Sequence, residues 1–155
     1  MSETNLQVVL ASRPAGAAGE SNFRLVEAAV PEPREGEVLV RVDWLSLDPY
    51  MRARMNEGKS YAARVELGEV MVGGTVGTVV ASRHGKFAEG EKVLGTLGWQ
   101  RVATSDGKGL VKLPDPRLPE SVWLGAAGMP GITAWMGLSL IGTPASGETG
   151  VVSAA

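Results

Sequence analysis

The chain has 155 residues, 44% of them apolar and 21% charged, with a formal net charge of −2 and no cysteine. That is room for one full domain and part of another, apolar enough to fold and without the charge excess of a disordered chain. The absence of any Lys/Arg run removes the electrostatic footprint of a nucleic-acid or anionic-membrane binder, and the absence of cysteine excludes disulfides, thiolate nucleophiles and Cys-ligated zinc.

In chain order, residues 6–10 and 23–29 read as two strands, and the loop between them, with Pro14, Gly16 and Gly19, predicts a wide hairpin. Residues 37–45 are the clearest strand, since Val38, Val40, Val42 and Trp44 alternate with Leu39, Arg41, Asp43 and Leu45 at the period of a half-buried strand. Residues 75–82 follow Gly73-Gly74 and are interrupted by Gly77, which predicts a bulge or a close backbone approach. Shorter strands are expected at 92–97, 99–104 and 110–112, the last two joined by the turn-like Ser105-Asp106-Gly107. Six or seven short strands, rich in turn residues, predict a mostly β domain, a barrel or a sandwich.

After Pro114 the texture changes. Pro119 and Pro130 stand where helices begin, predicting helices over 120–127 and 131–141. In the second, Ile132, Trp135, Met136 and Leu140 share one face while Leu138 and Ile141 leave little polar surface, so it requires burial on several sides. Its apolar stretch is about half of the ~20 residues that span a bilayer, and no signal-like segment precedes the first strand, so a cytoplasmic location without membrane attachment is expected. Gly142, Pro144 and Gly147 break the chain before a small apolar run at 150–153 that predicts the start of a strand.

Several ordered motifs run through this framework: Ser46-Leu47-Asp48-Pro49-Tyr50-Met51-Arg52, then Gly73-Gly74-Thr75-Val76-Gly77, then Gly90-Glu91-Lys92-Val93-Leu94-Gly95 with Trp99-Gln100. Gly128-Met129-Pro130-Gly131-Ile132-Thr133-Ala134-Trp135 and Gly147-Glu148-Thr149-Gly150-Val151-Val152-Ser153-Ala154-Ala155 complete the set. Together they resemble the zinc-independent branch of the medium-chain dehydrogenase/reductase superfamily, that of the prostaglandin, alkenal and curcumin reductases. The resemblance implies a GroES-like, partly open β-barrel catalytic domain over residues 1–120, connecting helices over 121–147, and the first strand of a truncated Rossmann domain over 148–155. It also implies NADP as cofactor, a homodimer when full length, and a glycine-rich phosphate turn beyond Ala155.

Zinc-dependent members of that superfamily hold their metal with Cys, His and acidic ligands, whereas this sequence has no cysteine and one histidine, His84. The implied reaction needs no metal: hydride reaches the β-carbon of an enone or enal, negative charge gathers on the carbonyl oxygen, and one positioned donor stabilises it. Tyr50 is the leading catalytic candidate, because a phenol donates a hydrogen bond and packs flat beside an apolar substrate; the competing reading is an aromatic plug at the barrel end.

By the same resemblance Met129 and Thr133 flank the nicotinamide, against the plainer readings of core filler and helix cap. Ser153, Ala154 and Ala155 end the first Rossmann strand, where small side chains let the cofactor approach. Arg52 and Arg54 are read as solvated arginines on a short turn rather than ligand contacts, and His84 as a surface loop residue. Quinone reduction, a quinone being an activated enone, and a non-catalytic GroES-like binding or assembly module are the alternatives to enone or enal reduction.

Overall fold

The computed structural model describes residues 4–58, 62–115 and 117–152, and its seven strands coincide with the seven β-rich runs of the sequence. Strands β1 (Thr4–Leu10) and β2 (Phe23–Ala29) form the expected antiparallel hairpin, Thr4 facing Ala29 and Leu10 facing Phe23. The remaining five, β3 (Val38–Leu45), β4 (Thr75–Ser82), β5 (Lys92–Gly95), β6 (Val102–Ser105) and β7 (Val111–Lys112), make an antiparallel sheet in the order β6-β3-β4-β5-β7. Although joined through Ser105-Asp106-Gly107, β6 and β7 lie at opposite edges, so that turn makes no hairpin and the barrel stays open.

The β1–β2 hairpin is fastened across the opening by polar bonds. The Val8 amide donates to Trp99 O at 2.8 Å, and the Met71 amide donates to Val8 O at 2.9 Å. Asn5, only 1% exposed, donates from Nδ2 to Val102 O at 2.9 Å and accepts at Oδ1 from the Val102 amide at 3.1 Å. Its amide thus imitates a strand neighbour of β6 and leaves neither polar end unpaired, which a buried amide requires.

Strict alternation along β3 does not survive folding. Its pairing with β4 slips between Leu39 and Val40 and again between Val42 and Trp44. Val38, Leu39 and Val40 are consequently all buried, while Trp44 is 49% exposed; each irregularity turns the following side chains to the other face. Gly77 is the close approach expected from its place in the strand: a Cβ there would lie 2.3 Å from Arg41 O and 2.7 Å from Val40 Cγ1. Two apolar clusters fill the body, one built on Val38, Val40, Val79, Phe87, Val93 and Leu110. The other is built on Leu10, Met51, Met55, Val65 and Met71.

Beyond Pro119 the expected helices shift. The first is a short 3₁₀ turn, Glu120–Leu124, that does not continue to 127, because Gly125 leaves helical geometry at φ −131° and ψ −110°. Helix α2 spans Met129–Met136 with a proline in its first turn, and a wider π-helical turn, Gly137–Gly142, continues it to Thr143 at φ 40°. Among the described residues nothing supplies the burial that its composition demands: Trp135 is 63% and Ile141 84% exposed. Residues 150–152 are exposed and not in a strand, since no described segment pairs with them, and Ser153, Ala154 and Ala155 lie outside the described residues. No helix among the described residues is long and apolar enough to cross a membrane.

Candidate active-site cleft

Tyr50 opens a one-turn helix, α1 (Tyr50–Arg54), directly after Pro49. Five residues cannot hold a helix by themselves, so its neighbours must. The approach is set by Ser46, whose amide donates to Gly74 O at 2.9 Å and whose hydroxyl donates to Asp48 Oδ2 at 2.7 Å. Met51 and Met55, each 3% exposed, sink into the second apolar cluster with Tyr50 packed on its border.

Two arginines lock the turn from outside. Arg52 donates to Gly16 O at 2.7 Å, to Pro14 O at 2.9 Å and to Asn56 Oδ1 at 2.6 Å. Arg13 donates to Met55 O at 2.8 Å and forms ion pairs with Glu57 and Glu66. Arg52 is therefore a clamp between α1 and the β1–β2 loop rather than the free solvated group expected from the sequence.

Tyr50 faces a cleft of about 490 Å³, a size suited to a small ligand. Ser46, Asp48 and Arg54 line it from the same segment as Tyr50; Gly74, Leu94, Gly95 and Thr96 line it from β4, β5 and their flanks. Trp123 and Leu124 of the 3₁₀ turn and Met129 and Pro130 of α2 form the opposite side. A second hollow of similar volume, about 510 Å³, lies beside Ala11, Arg13 and Glu57, away from Tyr50, where Arg13 is already paired.

The position of the Trp123–Leu124 wall depends on a polar strut. Glu120 accepts from Trp44 Nε1 at 3.1 Å and pairs with Lys92 Nζ at 2.7 Å, and Lys92 reaches on to Asp43 Oδ2 at 3.2 Å. Arg41 and Thr78 also donate to Asp43. Burial pushes the Asp43 carboxyl upward, but the bonds from Arg41, Thr78 and Lys92 outweigh it and hold the group below the usual carboxylate range. Burial likewise pulls the Lys92 ammonium down, and its hydrogen bonds to Glu120 and Asp43 more than restore it, leaving it raised.

Of the residues singled out in the sequence, Tyr50 and Met129 come together at one cleft although 79 positions apart (129 − 50). Thr133 lies one turn beyond, outside the cleft lining, and its Oγ1 donates to Met129 O at 2.8 Å, so its proton is committed to the helix. Gly131 holds α2 in place, since a Cβ there would lie 1.8 Å from Ala126 O. Arg54, set aside in the sequence as solvated, lines the cleft, and so does Trp123. The spacing of four from Tyr50 was the available signal for Arg54, because residues i and i+4 share a helix face. His84 lies in a loop against Phe87, its ring centroid 5.1 Å from that of Phe87, and is not among the cleft residues.

Residues 6–113 match the family described as the N-terminal domain of oxidoreductase. Over 153 residues the chain is 54% identical to the NADPH-dependent curcumin reductase of Escherichia coli (strain K12), covering 99% of this chain and 44% of that protein. It is 42% identical over 139 residues to prostaglandin reductase 1 of Mus musculus, covering 88% of this chain and 40% of that one.

The crystal structure of CurA from Vibrio vulnificus, 54% identical, superposes with a TM-score of 0.84 over 94% of this chain and 43% of that one. A structure of the same protein in complex with NADPH matches equally, at a TM-score of 0.84 over 92% of this chain and 42% of that one. The chain thus spans less than half the length of these relatives. The open GroES-like sheet, the cleft it carries and these matches make the chain a member of the oxidoreductase N-terminal-domain family, in the zinc-independent, curcumin- and prostaglandin-reductase-like branch of the medium-chain dehydrogenase/reductases.

Proposed function

We propose that this chain is the substrate-side half of an NADPH-dependent, metal-independent reductase that saturates the activated carbon–carbon double bond of enones or enals. The observation that carries the reading is the meeting of Tyr50 and Met129 at one cleft in a member of this reductase branch. Tyr50, Trp123, Leu124 and Met129 offer flat and soft apolar surface, and Ser46 and Thr96 offer hydroxyls, which fits a nicotinamide lying beside a small conjugated carbonyl. Met129 and its neighbours would flank NADPH there, and the bound cofactor would supply a hydride, two electrons, for the β-carbon of the substrate.

The chain's own groups do the rest. As the double bond accepts the electron pair, negative charge gathers on the carbonyl oxygen, and the Tyr50 phenol donates a hydrogen bond to it. The α-carbon then takes a proton from solvent, which completes the saturated ketone or aldehyde. Met129 provides an apolar wall that keeps the ring and the alkene in register, and Thr133 orients Met129 through the bond to its carbonyl. Ser153, Ala154 and Ala155 belong, on this reading, to the strand end that lets the pyrophosphate approach.

The apolar face of α2 is covered in the full enzyme by the cofactor domain, with residues 121–147 as the junction. The enzyme works as a cytoplasmic homodimer. A stand-alone binding module would leave Trp135, Leu138 and Ile141 in water, an exposed apolar patch of the kind that marks an interface.

The test is NADPH oxidation by the full-length enzyme with an alkenal and a quinone side by side. Enone or enal turnover exceeding quinone turnover is expected, and Tyr50→Phe lowers kcat about 10²-fold, the scale for one lost oxyanion donor, while thermal unfolding stays unchanged. Enone reduction at the wild-type rate in the mutant would overturn the role of Tyr50; inertness of the wild type toward every conjugated carbonyl would overturn the reading as a whole.

A further inference from the structure

The 3₁₀ turn that walls the cleft, Glu120–Leu124, contains no buried residue. Such an element is not placed by packing, so its few bonds to the rest of the fold decide where it stands. Beyond the approach of Leu124 to Gly74, the hydrogen bonds that tie it to the sheet among the described residues are those of Glu120. Both carboxylate oxygens are engaged, Oε1 with Lys92 Nζ at 2.7 Å and Oε2 with Trp44 Nε1 at 3.1 Å. Lys92 is held from the sheet side by Asp43 Oδ2 at 3.2 Å.

The spacing of these residues relates the bridge to the cleft. Lys92 and Leu94 share one face of β5, alternating with the buried Val93 and Gly95, and stand about 6.6 Å apart by strand rise. In a 3₁₀ turn residues three apart eclipse, so Glu120 and Trp123 also share a side, about 6 Å apart. Leu94 and Trp123 line the cleft, whereas Lys92 and Glu120 do not. The ion pair and the cleft pair are thus neighbouring rungs across one gap, that between β5 and the 3₁₀ turn.

Resting on the reductase reading above, we infer that Lys92 is a positioning residue that governs specificity from outside the cleft: its bridge to Glu120 fixes how far Trp123 stands from Leu94, and so the width left for the substrate. The side chains of Lys92 and Glu120 are 37% and 30% exposed, and a pair so open to water adds little to folding stability. Its effect falls on the position of the wall instead. Lys92→Met keeps an unbranched apolar stem and removes the charge, which releases the turn without opening a cavity.

The experiment uses the full-length enzyme with ethylideneacetone and benzylideneacetone, matched methyl ketones that carry a methyl or a phenyl group on the β-carbon. In Lys92→Met the ratio of kcat/KM for the methyl over the phenyl probe should fall about 10-fold, the low end of what one carbon of fit in an apolar pocket supports. The change should appear in KM, with kcat held within about threefold. Glu120→Gln should lower the ratio alike and the double variant no further, because both remove one bridge. Lys92→Arg should keep the ratio within about twofold. Asp43→Asn leaves an oxygen for Lys92 and serves as control, costing stability but holding the ratio within about twofold. A ratio unmoved in Lys92→Met and Glu120→Gln, or moved as far in Asp43→Asn, would overturn the positioning role. Calorimetric titration of both probes into enzyme loaded with oxidised NADP, which permits no reduction, separates this from the reductase reading. The same change in the ratio of Kd supports the bridge even if neither probe is reduced by NADPH, whereas an unchanged ratio, or a wild type that binds neither probe, overturns it.

Discussion

The β body and the segment after Gly128 are both rich in apolar residues, yet they fold under opposite conditions. In the body Leu10, Val38, Val40, Met71, Val76 and Val93 are fully buried, because strands that pair with one another cover both their polar backbone and one face of their side chains. In α2 and the turn after it, Ile132, Trp135, Leu138, Leu140 and Ile141 are more than half exposed. A helix satisfies its backbone alone but buries an apolar stripe only against another element, and among the described residues none covers that side. The body is thus packed through its own contacts, while the α2 segment holds its shape through the backbone and leaves its apolar side chains exposed.

The sharpest test of that contrast is Gly77→Val. A side chain there meets the Arg41 carbonyl and Val40 across the β3–β4 pair, and backbone cannot yield as a flexible side chain would; a loss of about 4 kcal/mol or outright failure to fold is expected in urea titration. Next is Met71→Ala in the second cluster, fully buried at 0% exposure. The cavity it leaves should cost about 2–5 kcal/mol by the same measurement.

A smaller, pH-dependent effect is expected from Asp43→Asn, about 1–2 kcal/mol at neutral pH from weakened bonds to Arg41 and Lys92. The folded carboxyl is depressed, so its contribution is complete above the ordinary carboxylate range and disappears as pH falls through the lowered value. The difference in melting temperature between wild type and Asp43→Asn should therefore shrink on acidification; a difference that grew instead would exclude the assigned network. At the bottom of the scale, Trp135→Ser in α2 should change stability by less than about 0.5 kcal/mol, yet reduce binding of an apolar dye to the chain. A cost comparable to that of Met71→Ala would dissolve the distinction between the two regions.

Much of the body was legible as text. All seven strands follow from β-branched runs punctuated by Gly and Pro, and the close approach at Gly77 follows from a lone glycine inside such a run. Tyr50 and Met129 were also recoverable, through the motifs that surround them. Arg54 was not read as a cleft residue, and the one local mark that separates it from Arg52 is its spacing of four from Tyr50. Whether an arginine clamps a loop or lines a cleft depends on which carbonyls and carboxylates the fold brings near, and the two carbonyl partners of Arg52 lie 36 and 38 positions away.

The sequence by itself determined the number and kind of strands, the start of α2 to within two residues, and the impossibility of a Cys-ligated metal, since each follows from local period, turn chemistry or residue type. Only the tertiary structure decided that β6 and β7 part to opposite edges, that β3 loses its alternation to two slips in register, and that Tyr50, Arg54, Trp123 and Met129 share one cleft. Those are relations between distant residues, set by which strand edges and apolar faces meet. A periodicity read along the chain carries no information about the partner across the sheet.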